Sequence, residues 1–308
     1  MTRGKNAASL LLTFIALAIC SFAPVSSLRS QKQSLRRVVI DAGHGGKDFG
    51  AGGAYSHEKD VALAVALKLQ KTINNEMSEV DVVMTRVTDV FDNPRIKAEK
   101  ANDAKGDLFI SIHCNDAGRF VQHKEPIGYK TITYKRKGKT LTKKVMQYKY
   151  WTTPSTAKGT ETYIWGIGKD EDKEKALKEN EDLYMDSSMA KQMREIESGD
   201  PAKVLLYSLK TQQYAERSRN LALTVEDEFV KVGRVSREAK QRPVGIWVLQ
   251  AVAMPAILVE TGFISNPEEE DYLNSEKGQQ EIADVIVKAL KRYKYSLDKK
   301  TAGNTAHP

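Results

Sequence analysis

The chain has 308 residues, and its 48 Lys and Arg against 40 Asp and Glu give a net charge of +8. With 41% hydrophobic residues it can bury a core, which excludes disorder throughout, and its length fits one large domain or one domain with insertions. The charge is local: residues 118–158 hold nine Lys and two Arg against the single acid Glu125 and everything else sums to −2, so the basicity is not the footprint of a nucleic-acid-binding face.

Arg3 and Lys5 precede the apolar run Ala7–Cys20, and the small residues of SFAPVSS follow it. This is the layout of a secretory signal cleaved near Ser27, and the run is shorter than the ~20 residues a spanning helix needs. Acylation of Cys20 and retention of the run as an anchor are the alternatives. After cleavage Cys114 is the one cysteine left, so no intramolecular disulfide forms. The signal implies an exported, periplasmic or envelope-associated protein with no stable membrane insertion once it is removed.

Residues 37–41 read as a buried strand, and Glu58–Ile73 as a helix that is apolar almost all round and therefore packs on a sheet. Val80–Met84 is a second strand, Asn93–Ala104 a helix with an Asn-Pro start, and Leu108–His113 a third strand. A strand at Thr160–Trp165, a helical stretch within Glu171–Glu197 and a helix from Pro201 to about Lys231 follow. Strands near Ile246–Leu249 and Ala256–Glu260, a helix at Gln279–Tyr293 and a polar, disordered tail over 297–308 complete the chain. The alternation predicts an α/β fold with a largely parallel sheet. Two stretches interrupt it, the basic one at 118–158 and an acidic one at 170–200 with eleven acids against five bases.

His44, His113 and Glu260 each end an apolar strand in the same sense. In parallel sheets the ligand crevice lies at the carboxyl ends of the strands, so neighbouring strands would bring the three together. Glu58, the first residue of the helix returning from the His44 loop, can reach the same edge. Two imidazoles and a carboxylate form a ligand set for a catalytic zinc ion, and a second carboxylate nearby can serve as general base. Taken singly each residue has a plainer reading: a strand-end histidine as a hydrogen-bonder, Glu58 as an acid favoured by the helix dipole. Glu260 ends a run from Ala256 to Val259 that is wholly apolar, where a carboxylate needs a functional reason. The loop Gly43–Asp48 lacks the spacing of a phosphate loop, and no G-x-S-x-G elbow or H-E-x-x-H helix occurs. His57 would point away from Glu58 on a helix, and Cys114 faces the other side of its strand from His113. His123 and His307 read as solvated.

The segments VIDAGHGGKDFGA (39–51), EKD (58–60), SIHCN (111–115) and MPAILVETGFISNPE (254–268) resemble the zinc-dependent N-acetylmuramoyl-L-alanine amidases of the type 3 class. The resemblance covers about 37–295. It implies a catalytic domain over 36–296 with a central, mostly parallel six-stranded sheet flanked by helices. It further implies hydrolysis of the amide between the lactyl group of N-acetylmuramic acid and L-alanine in peptidoglycan, in wall remodelling or daughter-cell separation. By the same resemblance His44, Glu58 and His113 match the ligands of one Zn2+ and Glu260 the catalytic carboxylate; Arg95 and Asn102 match family positions with no chemistry assigned. The cell-division branch carries an inhibitory helical segment that an activator protein displaces. Residues 170–231 occupy that place, so a carboxylate from 170–200 could fill the open position at the metal, and a solvated helical extension is the equal alternative. The basic stretch 118–158 has no family counterpart. Its aromatics suggest a β-hairpin around Lys137-Gly138, able to hold anionic glycan, lipid headgroups or the acidic stretch, or simply to be a solvated loop. A zinc exopeptidase acting on the stem peptide and a non-catalytic wall- or nucleic-acid-binding protein are the rival readings; the export signal argues against a nucleic-acid partner.

Overall fold

The computed structural model describes residues 34–304 apart from 167, 186, 198 and 243. The expected signal segment with Ser27 and Cys20, and also His307, lie outside the described residues. Among the described residues no helix is long and apolar enough to cross a membrane.

The first half of the chain alternates strand and helix: β1 (Arg37–Ala42), α1 (Glu58–Glu76), β2 (Asp81–Met84), α2 (Pro94–Asp103) and β3 (Leu108–Asn115). A hairpin of β4 (Phe120–Arg136) and β5 (Lys139–Pro154) follows, and then β6 (Thr160–Ile164). The helices α3 (Asp170–Glu179), α4 (Ser187–Glu195) and α5 (Pro201–Lys231) lead to β7 (Ser236–Gln241), α6 (Trp247–Ala251), β8 (Ala256–Phe263), α7 (Pro267–Asn274) and α8 (Glu276–Asn304). One sheet has the order β2-β1-β3-β8-β6-β7. Its first four strands are mutually parallel, while β6 runs against β8 and carries β7 parallel to itself. This is the mostly parallel six-stranded α/β sheet the sequence predicts.

The central strands are apolar because both faces of the sheet are covered. In β1 only Arg37 is not buried, and in β8 no residue escapes burial. On one face α1 lays Val61, Val65, Leu69 and Ile73 against the strands, all at most 1% exposed. Against the sheet also lies a cluster of Phe109, Trp165, Leu177, Tyr207 and Leu249. Helix starts follow their capping residues: Asn93 accepts from the Ile96 N–H and Asp200 from those of Ala202 and Lys203, each followed by proline at the first helical position.

Two expectations are corrected. The run at Ile246–Leu249 is helical in α6, and the sixth strand is instead the polar β7, with sequence SREAKQ. Val248 and Leu249 are buried in the core cluster, a burial a short apolar run achieves as helix or strand. β7 is an edge strand in which no residue is fully buried, so it carries no apolar alternation. At the other end, α8 continues to Asn304, so residues 298–304 are helical where an irregular tail was expected, and 305–308 lie outside the described residues. The compact unit Leu35–Lys294 contains the whole candidate site.

Candidate active site

Parallel pairing of β1, β3 and β8 brings the loops after them to one edge, since Ala42 pairs with Ile112, and His113 with Glu260. His44 follows β1 by two residues in a loop with positive φ at His44, Gly45 and Gly46. The turn is tight, and a Cβ on Gly45 would lie 2.1 Å from the Val90 carbonyl oxygen. Glu58 opens α1, and the loop before it is held by Glu270, whose carboxylate accepts from the N–H groups of Ala54, Tyr55 and Ser56.

The three side chains converge. Nε2 of His44 is 3.1 Å from Oε2 of Glu58, Nδ1 of His113 is 2.7 Å from Oε1, and all the candidate ligand atoms lie within 4.8 Å of one another. The two imidazoles meet edge to face with centroids 4.9 Å apart. Glycines make the room: a Cβ on Gly43 would meet the His113 ring at 2.5 Å, and one on Gly50 would meet Glu58 Oε2 at 2.5 Å.

Electrostatics suit a cation. Burial opposes ionisation of Glu58, but the hydrogen bonds and charges of His113 and His44 outweigh it and hold the carboxyl well below the usual range. Burial likewise disfavours charge on His44, yet Glu58 and Asp48 raise it to about 9. Asp48 Oδ2 lies 2.9 Å from His44 Nδ1, an outer carboxylate that fixes the ring and leaves Nε2 facing inward. Two imidazole nitrogens and a carboxylate, backed in this way, form a donor set that fits a zinc ion.

Glu260 stands beside this group, 7% exposed, with Oε2 buried and without a hydrogen-bond partner. Burial pushes its carboxyl up to about 7 against the opposing charge of His113. On its other side it pairs in register with Glu161 of β6. Glu161 is fully engaged, accepting from Asn115 Nδ2 at 2.9 Å, Arg237 Nε at 2.6 Å, Lys240 Nζ at 3.1 Å and the Tyr163 hydroxyl. Those donors outweigh its burial and hold it at about 2. Of two neighbouring carboxylates, one is thus locked as an anion and the other is poised to take and give a proton.

The four site residues anticipated from sequence are therefore together. Glu58 sits at a helix start as expected, but its side chain serves the two histidines. His57 packs on Phe49 instead, Cys114 is buried and its thiol is pushed up by burial, and His123 stacks on Trp151. Asn102 is structural, bridging the Ala251 carbonyl and the Ala253 N–H, and Arg95 is exposed beside Glu99.

Sequence reasoning missed the supports. Buried Asp41 accepts from Thr85 and Ser111 hydroxyls and pairs with Lys97 Nζ at 2.9 Å. Lys97 also donates to the Ala42 and His44 carbonyls, and Arg86 to those of Ala42, Gly43 and Lys59, fixing the His44 loop from below. Asp41 carries the same signal as Glu260, an acid within a wholly apolar strand; Lys97 and Arg86 carry none.

The described acids of the 170–200 stretch lie away from the site. Its Lys173 donates to the carbonyls of Leu249, Val252 and Met254, before β8, whereas Glu260 lies toward the carboxyl end of β8. Asp172, Glu179 and Asp182 pair with Lys169, Lys175 and Arg194, and Glu181 is buried against Tyr207 and Lys203. Among the described residues no carboxylate of 170–200 joins His44, Glu58 and His113.

Comparison with known proteins shows the family of the chain. A family model described as N-acetylmuramoyl-L-alanine amidase matches residues 38–292. N-acetylmuramoyl-L-alanine amidase AmiC of Escherichia coli O6:H1 is 31% identical over 257 residues, 83% of this chain, which spans about half (52%) of that relative. AmiA of Escherichia coli K12 is 27% identical over 90% of this chain and 83% of its own length. Among solved structures, an N-acetylmuramoyl-L-alanine amidase from Clostridium difficile 630 superposes with a TM-score of 0.53 at 24% identity, covering 84% of this chain and 97% of the other, a likeness of fold.

Proposed function

The chain belongs to the N-acetylmuramoyl-L-alanine amidase family, and from that premise we propose that it hydrolyses the amide joining N-acetylmuramic acid to L-alanine in peptidoglycan. The observation that carries the reading is the juxtaposition of His44, Glu58 and His113 with the unpartnered, buried carboxyl of Glu260.

His44, Glu58 and His113 are the residues that would hold one Zn2+, which when bound supplies Lewis acidity to a carbonyl and acidifies a water. Glu260 accepts a proton from the attacking water as its oxygen bonds to the amide carbon. It then delivers that proton to the nitrogen as the C–N bond breaks, leaving a lactyl carboxylate and a free alanine amine. Glu161 stays ionised beside it and keeps Arg237 and Lys240 in place. Asp41, Lys97 and Arg86 hold the His44 loop through the reaction.

The N-terminal run Ala7–Cys20 adds export to the periplasm or cell envelope, where this polymer lies. The stretch 170–231 is helical in this reading, and an activator protein is kept as a partner of the enzyme, as the CwlD amidase of Clostridioides difficile is found in complex with the GerS lipoprotein. Mass spectrometry of peptidoglycan digested by the purified chain tests the reading. Complete stem peptides with a free alanine amine are expected, and shortened stems with the lactyl amide intact would mean an exopeptidase.

A further inference from the structure

The hairpin β4–β5 takes no part in the site or the sheet. Its turn, Lys137-Gly138, has φ of 49° and 75°, the left-handed pair a tight hairpin turn requires. The strands pair from Phe120↔Pro154 to Arg136↔Lys139 and would span about 50 Å at ~3.4 Å per residue. Only His123, Ile132 and Met146 are half-buried along this length, and the rest is exposed. A two-stranded ribbon buries too little to repay its own ordering. Yet Ile127 is 60% exposed, Tyr129 66% and Tyr150 70%. Exposed apolar surface on this scale marks an interaction surface.

Its charge is equally unspent. Among the described residues no Lys or Arg of 119–154 enters an ion pair; Lys124 and Lys143 lie over the Tyr148 and Tyr134 rings, at 5.3 and 5.6 Å. Of the acids of 170–200, the obvious internal partner, Asp172, Glu179, Asp182 and Glu181 pair with Lys169, Lys175, Arg194 and Lys203, and among the described residues no ion pair joins an acid of this stretch to the hairpin.

We infer that the β4–β5 hairpin is a docking arm for an anionic glycan, namely the peptide-stripped strand that the proposed amidase reaction leaves behind. The inference rests on that reaction. Each hydrolysis turns a neutral lactyl amide into a carboxylate on the sugar itself, while the peptide leaves with the new amine and with its own carboxylates. The stripped strand thus presents one carboxylate per cut directly on the glycan, unscreened by a bulky stem and within reach of a flat cationic arm.

Three observations favour this occupant. Pairing register places Lys130, Lys143 and Trp151 on one face and Lys124, Lys144 and Tyr150 on the other, so both faces mix cations with aromatics. An element lying in a bilayer surface segregates the two kinds of residue, whereas a linear polymer can be met on either face, with rings against sugar faces and ammonium groups against carboxylates. The arm is also rooted at the catalytic edge. Its base closes where Ser155 N–H donates to the Arg119 carbonyl, directly after β3 and before β6. Finally, a cleft of about 480 Å3 lined by Val121, Lys158 and Arg237 joins the base to β7, and Arg237 is bonded to Glu161, the register neighbour of Glu260.

The test measures binding of the full chain to glycan strands stripped of peptide by an unrelated amidase, which this enzyme cannot cleave further. The reference ligands are neutral N-acetylglucosamine oligomers, phosphatidylglycerol vesicles and a single-stranded oligonucleotide. The variant is Lys130, Lys143, Lys144 and Lys149→Gln together, with circular dichroism and thermal midpoint as fold controls. The native chain should prefer stripped glycan to every reference, and the variant should lose about tenfold or more of that affinity, a loss that added salt reproduces in the native chain. Equal binding by the folded variant, or vesicle or oligonucleotide binding as tight as glycan binding, would overturn the proposal. Lost glycan preference with stem-peptide release still observed condemns the arm alone. Variant-sensitive glycan binding without peptide release condemns the amidase reading alone.

Discussion

In Glu58 a single carboxylate meets His113 Nδ1 and the Cys114 N–H through Oε1, and His44 Nε2 and the Ala51 N–H through Oε2. In the metal-free protein a proton on His44 stands where a cation would, since that imidazole stays charged to about 9. Zinc must displace it, so isothermal titration should show proton release on binding and an apparent affinity that falls about tenfold per pH unit below 9. Asp48→Asn removes the outer carboxylate and should weaken zinc binding about 10–100-fold, read with a competing chelator. Glu260 titrates in the opposite sense to Glu58. Its carboxyl is raised to about 7, so the folded chain keeps a proton the unfolded chain has shed, and stability falls as pH rises through this window. Glu260→Gln should therefore stabilise the metal-free protein above pH 7, by about 3 kcal/mol at most, in denaturant titrations. The same variant should bind zinc and lose about 10²–10⁴-fold in turnover. These four site residues were legible because strand ends and a helix start concentrate them. Asp48, Lys97 and Arg86 were not, because their roles depend on a loop path that no periodicity encodes.

Helix α2 shows how an element serves the site without touching it. Its Asn-Pro start was readable, but the family-matched Arg95 and Asn102 turned the eye from Lys97, which is 4% exposed and joins Asp41 to the His44 loop. Removing one partner of a buried pair strands the other charge, so Lys97→Met should cost about 3–5 kcal/mol of stability and lower zinc occupancy as well. Both are measurable on one sample, by thermal unfolding and metal analysis. Strands β1, β3 and β8 were legible as continuous apolar runs, because burial on both faces leaves that signature. β7 was illegible for the converse reason, since an edge strand with exposed faces has neither run nor alternation. The hairpin was legible from its Lys137-Gly138 turn and its spaced aromatics. It contributes no core, so exchanging 120–154 for a short turn should leave the thermal midpoint within a few degrees, whereas loss of a core element would not.

At the scale of the molecule, charge and catalysis divide the chain differently from the first impression of a mildly basic protein. The acidic helices pair locally and dock toward the amino end of β8, the basic hairpin extends from the catalytic edge, and the framework between them carries the chemistry. Sequence could locate both charge excursions but not their separation, because docking of α3 depends on Lys173 reaching three backbone carbonyls. The central claim is that His44, Glu58 and His113 hold zinc for amide hydrolysis with Glu260 as proton carrier. Incubation of the purified chain with peptidoglycan, with chelator, with chelator then zinc, and with Glu260→Gln, tests it most directly. The account predicts complete stem peptides with a free alanine amine from the native chain, none with chelator, recovery with zinc, and none from the zinc-loaded variant. Undiminished peptide release after verified removal of the metal, or from zinc-loaded Glu260→Gln, would contradict it.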